Sequence, residues 1–144
     1  MTATEALVRE LADRSELTDL VSRHSLWIDE HRYDESDRLF TEDVEVTSRR
    51  GTAHGLEALV ALVRKGHDDY ARTVHNKSNL VIEVQGDTAT VRAHDTAVYV
   101  LSDKTEAIAA AVHLYRARRT EKGWRFDRLE VVPVALTESL DRAL

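Results

Sequence analysis

No cysteine occurs in the 144 residues, which removes disulfides, thiolate nucleophiles and thiolate metal sites from consideration. A reducing, cytoplasmic location is the corresponding expectation. Proline occurs once, at Pro133, and glycine five times. Nothing reads as a linker and no segment repeats, so one domain over residues 1–144 is expected, long enough for a single sizeable core. The few glycines build no phosphate-cradling loop, dinucleotide fingerprint or nucleophile elbow. No apolar run approaches the roughly 18 residues of a membrane helix. The opening "MTATEALVRELADRSEL" is charged by its fifth residue and has no apolar stretch, so no secretory signal is expected. A net charge of −6 disfavours a phosphate backbone as partner, so neither nucleic acid nor membrane is expected. The only dense basic runs are "SRR" at 48–50 and "YRARRTEK" at 115–122. Strand spacing puts Arg116 and Arg118 on one face and Arg119 on the other, as a solvated strand would have them. The seven histidines include no His-x-His or His-x-x-x-His pair, and no carboxylate–histidine spacing matches zinc or iron. The expectation is a protein without metal or cofactor.

What is present is a change of period. "ADRSELTDLVSRHSLWIDEHR" carries Leu17, Leu20, Val21, His24, Ile28 and His31 at three- and four-residue spacing, a helical stripe. Asp13 followed by Glu16 has the spacing of a capping box, so a short helix over about residues 4–12 is expected to break near Asp13. "YDESDRLF" reads as one or two further turns, "DVEVTS" as a short strand turning at Gly51, and the segment after Gly55 as a second helix. After Arg72 the period is two. "NLVIEVQGDTATVRAHDTAVYVL" is a hairpin turning at "QGDT". A third strand follows the "SDK" loop, and a last one, "WRFDRLEVVPV", follows the turn at "EKG". Helices followed by a four-stranded antiparallel meander mean α+β, with helices on the concave face of a curled sheet and a cone-shaped interior suited to a ligand.

"LWIDEHRYDESDRLFTEDVEVTSRRGTAHGLEAL", "GDTATVRAHDTAVYVL" and "KGWRFDRLEVVP" resemble the SnoaL-like members of the nuclear-transport-factor-2-like superfamily, over about residues 14–134. That resemblance implies a cystatin-like α+β barrel. Within it, "RSELTDLVSRHSLWID" and "VHNKSNLVIEV" are similar to hexachlorocyclohexane dehydrochlorinase, and "RTVH" to scytalone dehydratase. The resemblance implies that His75 is the general base and Asp29 the carboxylate that orients it. Other family positions depart: the second histidine of scytalone dehydratase falls on Val100. The dehydrochlorinase's arginine falls on Leu129, beside Arg128, and its helix-one lysine on His24.

A neutral histidine with one nitrogen held by a carboxylate can take a proton with the other, and its ordinary pKa suits neutral pH. Asp29 lies about 140° from the centre of the helical stripe at about 100° per residue, where a solvated aspartate is ordinary. Leu26 and Trp27, however, make the helix apolar nearly all round there, as if enclosed. His24, His94, His113, Tyr115, Trp27 and Arg128 are the further candidates for lining the pocket and binding substrate. His54 and His67 are expected to face solvent. The expected activity is a cofactor-independent, dehydratase-type lyase acting on a small, largely apolar molecule. The alternatives are an isomerase or cyclase of a polyketide-like metabolite and a non-catalytic binding or dimerisation module. Ile108, Val112 and Leu114 alternate with Ala109, Ala111 and Tyr115, and "LEVVPVAL" is almost continuously apolar. Both faces of the closing strands are thus apolar, and a homo-oligomer, a two-fold dimer above all, is expected.

Overall fold

The computed structural model describes residues 1–101, 104 and 106–137; most of the expected "SDK" loop lies outside them. Helix α1 (Ala3–Asp29) runs unbroken for 27 residues. The cap is at its start, where the Thr2 hydroxyl and the Glu5 carboxylate each accept the other's backbone N–H. The expected break at Asp13 does not occur. That carboxylate is buried and accepts Arg119 Nη1 and Nη2 at 2.7 and 2.9 Å and Trp124 Nε1 at 3.0 Å. Asp13 thus pins the helix to the last hairpin instead of capping a new one. A short 3₁₀ turn (Tyr33–Arg38) leads into β1 (Phe40–Ser48), β2 (Gly51–His54) and helix α2 (Leu56–His67). Four long strands follow: β3 (Tyr70–Gln85), β4 (Thr88–Leu101), β5 (Glu106–Thr120) and β6 (Gly123–Leu136).

The sheet has six strands in the order β2-β1-β6-β5-β4-β3. The expected meander is β3 to β6, all antiparallel. The purely antiparallel sheet needs correction, because β1 pairs with β6 in parallel. So does the barrel: β2 and β3 remain edges, and the sheet is curled but open. Local alternation carries no information about that distant parallel pairing. The core is the concave face, where Leu17, Leu20, Val21 and Ile28 of α1 meet Val91, Tyr115, Trp124, Phe126 and Leu129.

Two irregularities decide which side chains face inward. Leu80, Ile82 and Val84 pack on the core, and strict alternation from them would turn His75 outward. Between Ser78 and Val81 the pairing with β4 slips by one residue, and Asn79 sits there at φ 53°. Asparagine tolerates that left-handed conformation and suits a bulge. The bulge moves the inward set to Thr73, His75 and Lys77. A second slip, between Ala110 and Ala111, opens the β5–β6 pairing opposite Pro133.

Candidate active site

Asp29 is the last residue of α1 and stands against the free edge of β3. The edge N–H of His75 points away from β4 and donates to Asp29 Oδ2 at 2.9 Å. The Thr73 hydroxyl donates to Oδ1 at 2.9 Å, and the His75 ring lies with Nδ1 2.6 Å from the same oxygen. An exposed strand edge supplies unpaired N–H groups, and here one of them seats a carboxylate. Burial pushes the Asp29 carboxyl up, but the ring, backbone and hydroxyl donors together hold it below its ordinary value. Because a carboxylate only accepts, His75 Nδ1 carries the hydrogen, and in the neutral ring Nε2 is then a bare lone pair. The His75 side chain is 4% exposed and forms part of a cavity wall. The sequence picture of a helix enclosed all round at this point does not hold, since Leu26 is 43% exposed. Asp29 is drawn inward by its partners on β3 and not by the helical stripe.

Beneath His75 lies a buried polar floor. Lys77 Nζ is 2.9 Å from Asp95 Oδ1 and donates to Ser25 Oγ at 2.8 Å. Asp95 Oδ2 is 3.4 Å from His113 Nε2. The Tyr115 hydroxyl lies 3.1 Å from His113 Nδ1 and 2.7 Å from His24 Nδ1. One pattern of hydrogens satisfies this chain. His113 Nε2–H points to Asp95, Tyr115 O–H donates to His113 Nδ1, and His24 Nδ1–H donates to the tyrosine oxygen, which leaves His24 Nε2 bare. Burial holds His24 well below the ordinary histidine range and pushes His113 down to about 3. It also lowers Lys77, against the pull of Asp95.

The cavity is about 120 Å³. His75, His24, His113, Asp95 and Tyr99 stand on its polar side, and Ile28, Leu59, Leu62, Val63 and Leu129 on its apolar side. Of the expected residues, His75, His24 and His113 share this cavity, with Asp29 directly behind His75. Tyr115 holds the histidines from beneath. Trp27 does not reach the cavity; it is core, with its indole N–H on Ser36 Oγ at 2.9 Å. His94 and Arg128 are corrections, because both point to the outer face. His94 meets Asn79 and Arg92 there, and Arg128 shares an outer groove with Arg116. Strand parity decides this: Asp95 is the inward neighbour of His94, and Leu129 that of Arg128.

Sequence reasoning missed Lys77, Asp95, Tyr99, His67 and Arg50. Lys77 had a usable signal, since it lies two residues beyond His75 on the same strand face, and its cross-strand partner is Asp95. His67, expected in solvent, is 6% exposed and lines the cavity with Arg50. Among the described residues no group of three or more histidines, cysteines or carboxylates could hold a metal ion, and no helix is long and apolar enough to cross a membrane.

Residues 9–130 match the model of the SnoaL-like domain. A search among curated proteins finds no match. Among solved structures, a nuclear-transport-factor-2-like protein with a cystatin-like fold from Novosphingobium aromaticivorans is 27% identical, with a TM-score of 0.82 over 100% of this chain and 96% of that one. The hexachlorocyclohexane dehydrochlorinase of type 3 from Novosphingobium barchaimii is 23% identical, with a TM-score of 0.81 over 90% and 92%. A scytalone-dehydratase-like protein from Novosphingobium aromaticivorans is 22% identical, with a TM-score of 0.80 over 94% and 91%. The likeness to the last two is one of fold.

Proposed function

This chain belongs to the SnoaL-like domain family, and on that premise we propose that it is a cofactor-independent lyase that removes water from a small hydroxylated carbonyl compound. The observation that carries the reading is the 2.6 Å contact of His75 Nδ1 with Asp29, which turns a bare Nε2 toward a cavity. The bare nitrogen takes a proton from the carbon beside the carbonyl. The electron pair of that C–H bond becomes the new C=C bond, and the C–O bond on the next carbon breaks. Asp29 stabilises the imidazolium formed in between. The proton held by His75 then passes to the departing hydroxide, so water leaves and the base is regenerated. His24 is no donor in the resting enzyme, because its one hydrogen is committed to Tyr115. The same first step without a leaving group is an isomerisation, and the family's dehydratase and dehydrochlorinase neighbours favour elimination.

The test is 3-hydroxycyclohexanone, whose dehydration gives a conjugated enone visible by absorbance. Wild type should turn it over, and Asp29→Asn should lose most of that activity while retaining its melting temperature. No enzyme-dependent enone at any neutral pH would overturn the proposal. A dimer is part of the proposal: Val81, Leu114, Val132 and Val134 are exposed, and apolar side chains exposed together on a sheet suit an interface. Light scattering should return twice the 16.3 kDa chain mass; a monomer at micromolar concentration would remove this part.

A further inference from the structure

Arg50 and His67 each keep a buried nitrogen without a hydrogen-bond partner among the described residues, Arg50 Nε and His67 Nε2. The two side chains are neighbours. A Cβ added to Gly66 would stand 2.3 Å from Arg50 Cζ and Nε, so the guanidinium lies against α2 where glycine alone leaves room. Arg50 reaches this place from the turn between β1 and β2, and His67 from the end of α2. Both line the cavity that holds His75, and the His67 and His75 rings are 5.5 Å apart. Arg50 donates a side-chain hydrogen bond to Tyr99, and the groups that feel its charge include buried His67 and Tyr99 and half-buried Tyr70, all neutral near pH 7.

The tautomer of His67 follows from its other nitrogen. Nδ1 lies 2.8 Å from the Val63 carbonyl oxygen, which can only accept, so Nε2 is an acceptor without a donor. Burial pushes His67 down to about 4, and Arg50 adds to the effect. The wall therefore presents a cationic donor beside a neutral acceptor. A buried polar group left unpaired is costly, and a ligand that completes both groups gains accordingly. The cavity of about 120 Å³ is close to the roughly 150 Å³ known to hold one benzene ring.

We propose that Arg50 and His67 form a recognition subsite for a single-ring compound that carries an anionic or carbonyl oxygen and a hydroxyl. The guanidinium donates to the first, and His67 Nε2 accepts from the second. The inference rests on the lyase reading and names its substrate class: an oxygen anchored by Arg50 places the adjacent carbon against His75. Gly66 is the residue that keeps the anchor in position.

Calorimetric titration with 3-hydroxybenzoate, benzoate and benzyl alcohol tests this without any turnover. Wild type should bind benzoate at least about tenfold more tightly than benzyl alcohol, and 3-hydroxybenzoate more tightly still. Arg50→Met should erase the preference for the anion. Gly66→Ala should erase it too, although alanine favours the helix, so loss of fold cannot account for the result. His67→Phe should remove only the advantage of 3-hydroxybenzoate over benzoate. Equal binding of benzoate and benzyl alcohol by wild type, or an anion preference that survives both Arg50→Met and Gly66→Ala, would overturn the subsite. An Arg50-dependent preference with no dehydration of 3-hydroxycyclohexanone would uphold the subsite and remove the lyase reading alone. Dehydration without that preference would do the reverse.

Discussion

Two aspartate–histidine pairs stand on the concave face, and they differ in what else each carboxylate touches. Asp29 receives His75 Nδ1 at 2.6 Å, and its remaining contacts are the neutral donors His75 N–H and Thr73 O–H. Its charge is therefore left for the imidazolium, and the far nitrogen of His75 is bare. Asp95 is 2.9 Å from the Lys77 ammonium and only 3.4 Å from His113. Its charge is already balanced, and the other nitrogen of His113 is taken by Tyr115. On the proposed reading, two pairs of the same composition do different work, one moving a proton and the other holding the cavity floor. An imidazole serves as a base when one nitrogen is oriented by an otherwise uncompensated carboxylate and the other is left open.

The sharpest way to break this contrast is to exchange the consequences. His75→Gln should lower kcat/KM for 3-hydroxycyclohexanone by about 10²–10⁴-fold, with little change in stability. Lys77→Met should lower activity only as far as it lowers the folded fraction. If steady-state kinetics show equal losses per folded molecule, the two pairs do not divide the labour in this way.

The next effect is on stability. Removing Lys77 strands the buried Asp95 charge, and an uncompensated buried charge costs about 3–5 kcal/mol. Urea unfolding of Lys77→Met should show a loss of that order, and Lys77→Met/Asp95→Leu should recover most of it. A double variant no more stable than the single one would mean the pair contributes more than charge balance.

A smaller effect per group concerns pH. His67 is pushed down to about 4 and His113 to about 3 by burial. The unfolded chain takes up protons on these residues near its ordinary pKa of about 6.5, while the folded chain does not. Their neutral burial is without penalty above pH 6.5, and stability is lost as pH falls from there toward the folded values. Each fully titrating group contributes about 1.4 kcal/mol per pH unit in that window. His113→Gln should flatten the acid limb of the melting temperature between pH 6 and 4, and an unchanged slope would contradict its burial in the neutral form. Smallest of all is the effect of a chelator. Exhaustive dialysis against one should leave both turnover and melting temperature unchanged, and stoichiometric zinc or iron by elemental analysis would contradict the metal-free chemistry proposed for His75.

Much of the fold was legible because it is locally encoded. The stripe Leu17–Leu20–Val21–His24–Ile28 specifies a helix, and "QGDT" turns where Gln85 pairs with Thr88. Asp13 was misread because an aspartate three residues before a glutamate is indistinguishable from a cap until Arg119, 106 residues away, claims it. The family resemblance marked His75 and Asp29, which geometry then joined. His94 was attractive by residue type and Arg128 by standing beside the position of the dehydrochlorinase's arginine, yet their strand parity points them out of the cavity.

The amino-acid order by itself determined most of the elements, their period and the hairpin turn, since propensity, alternation and glycine placement act within a few residues. It could not determine which histidines share the interior. That depended on a one-residue slip at Asn79 that carries His75 and Lys77 to the concave face, and on the parallel pairing of β1 with β6 that sets Val46 beside Leu129 in the cavity wall. It depended as well on Gly66 giving way to a guanidinium from another element. Each is a contact between segments far apart in the chain, and its free energy exists only when the whole sheet has curled around α1.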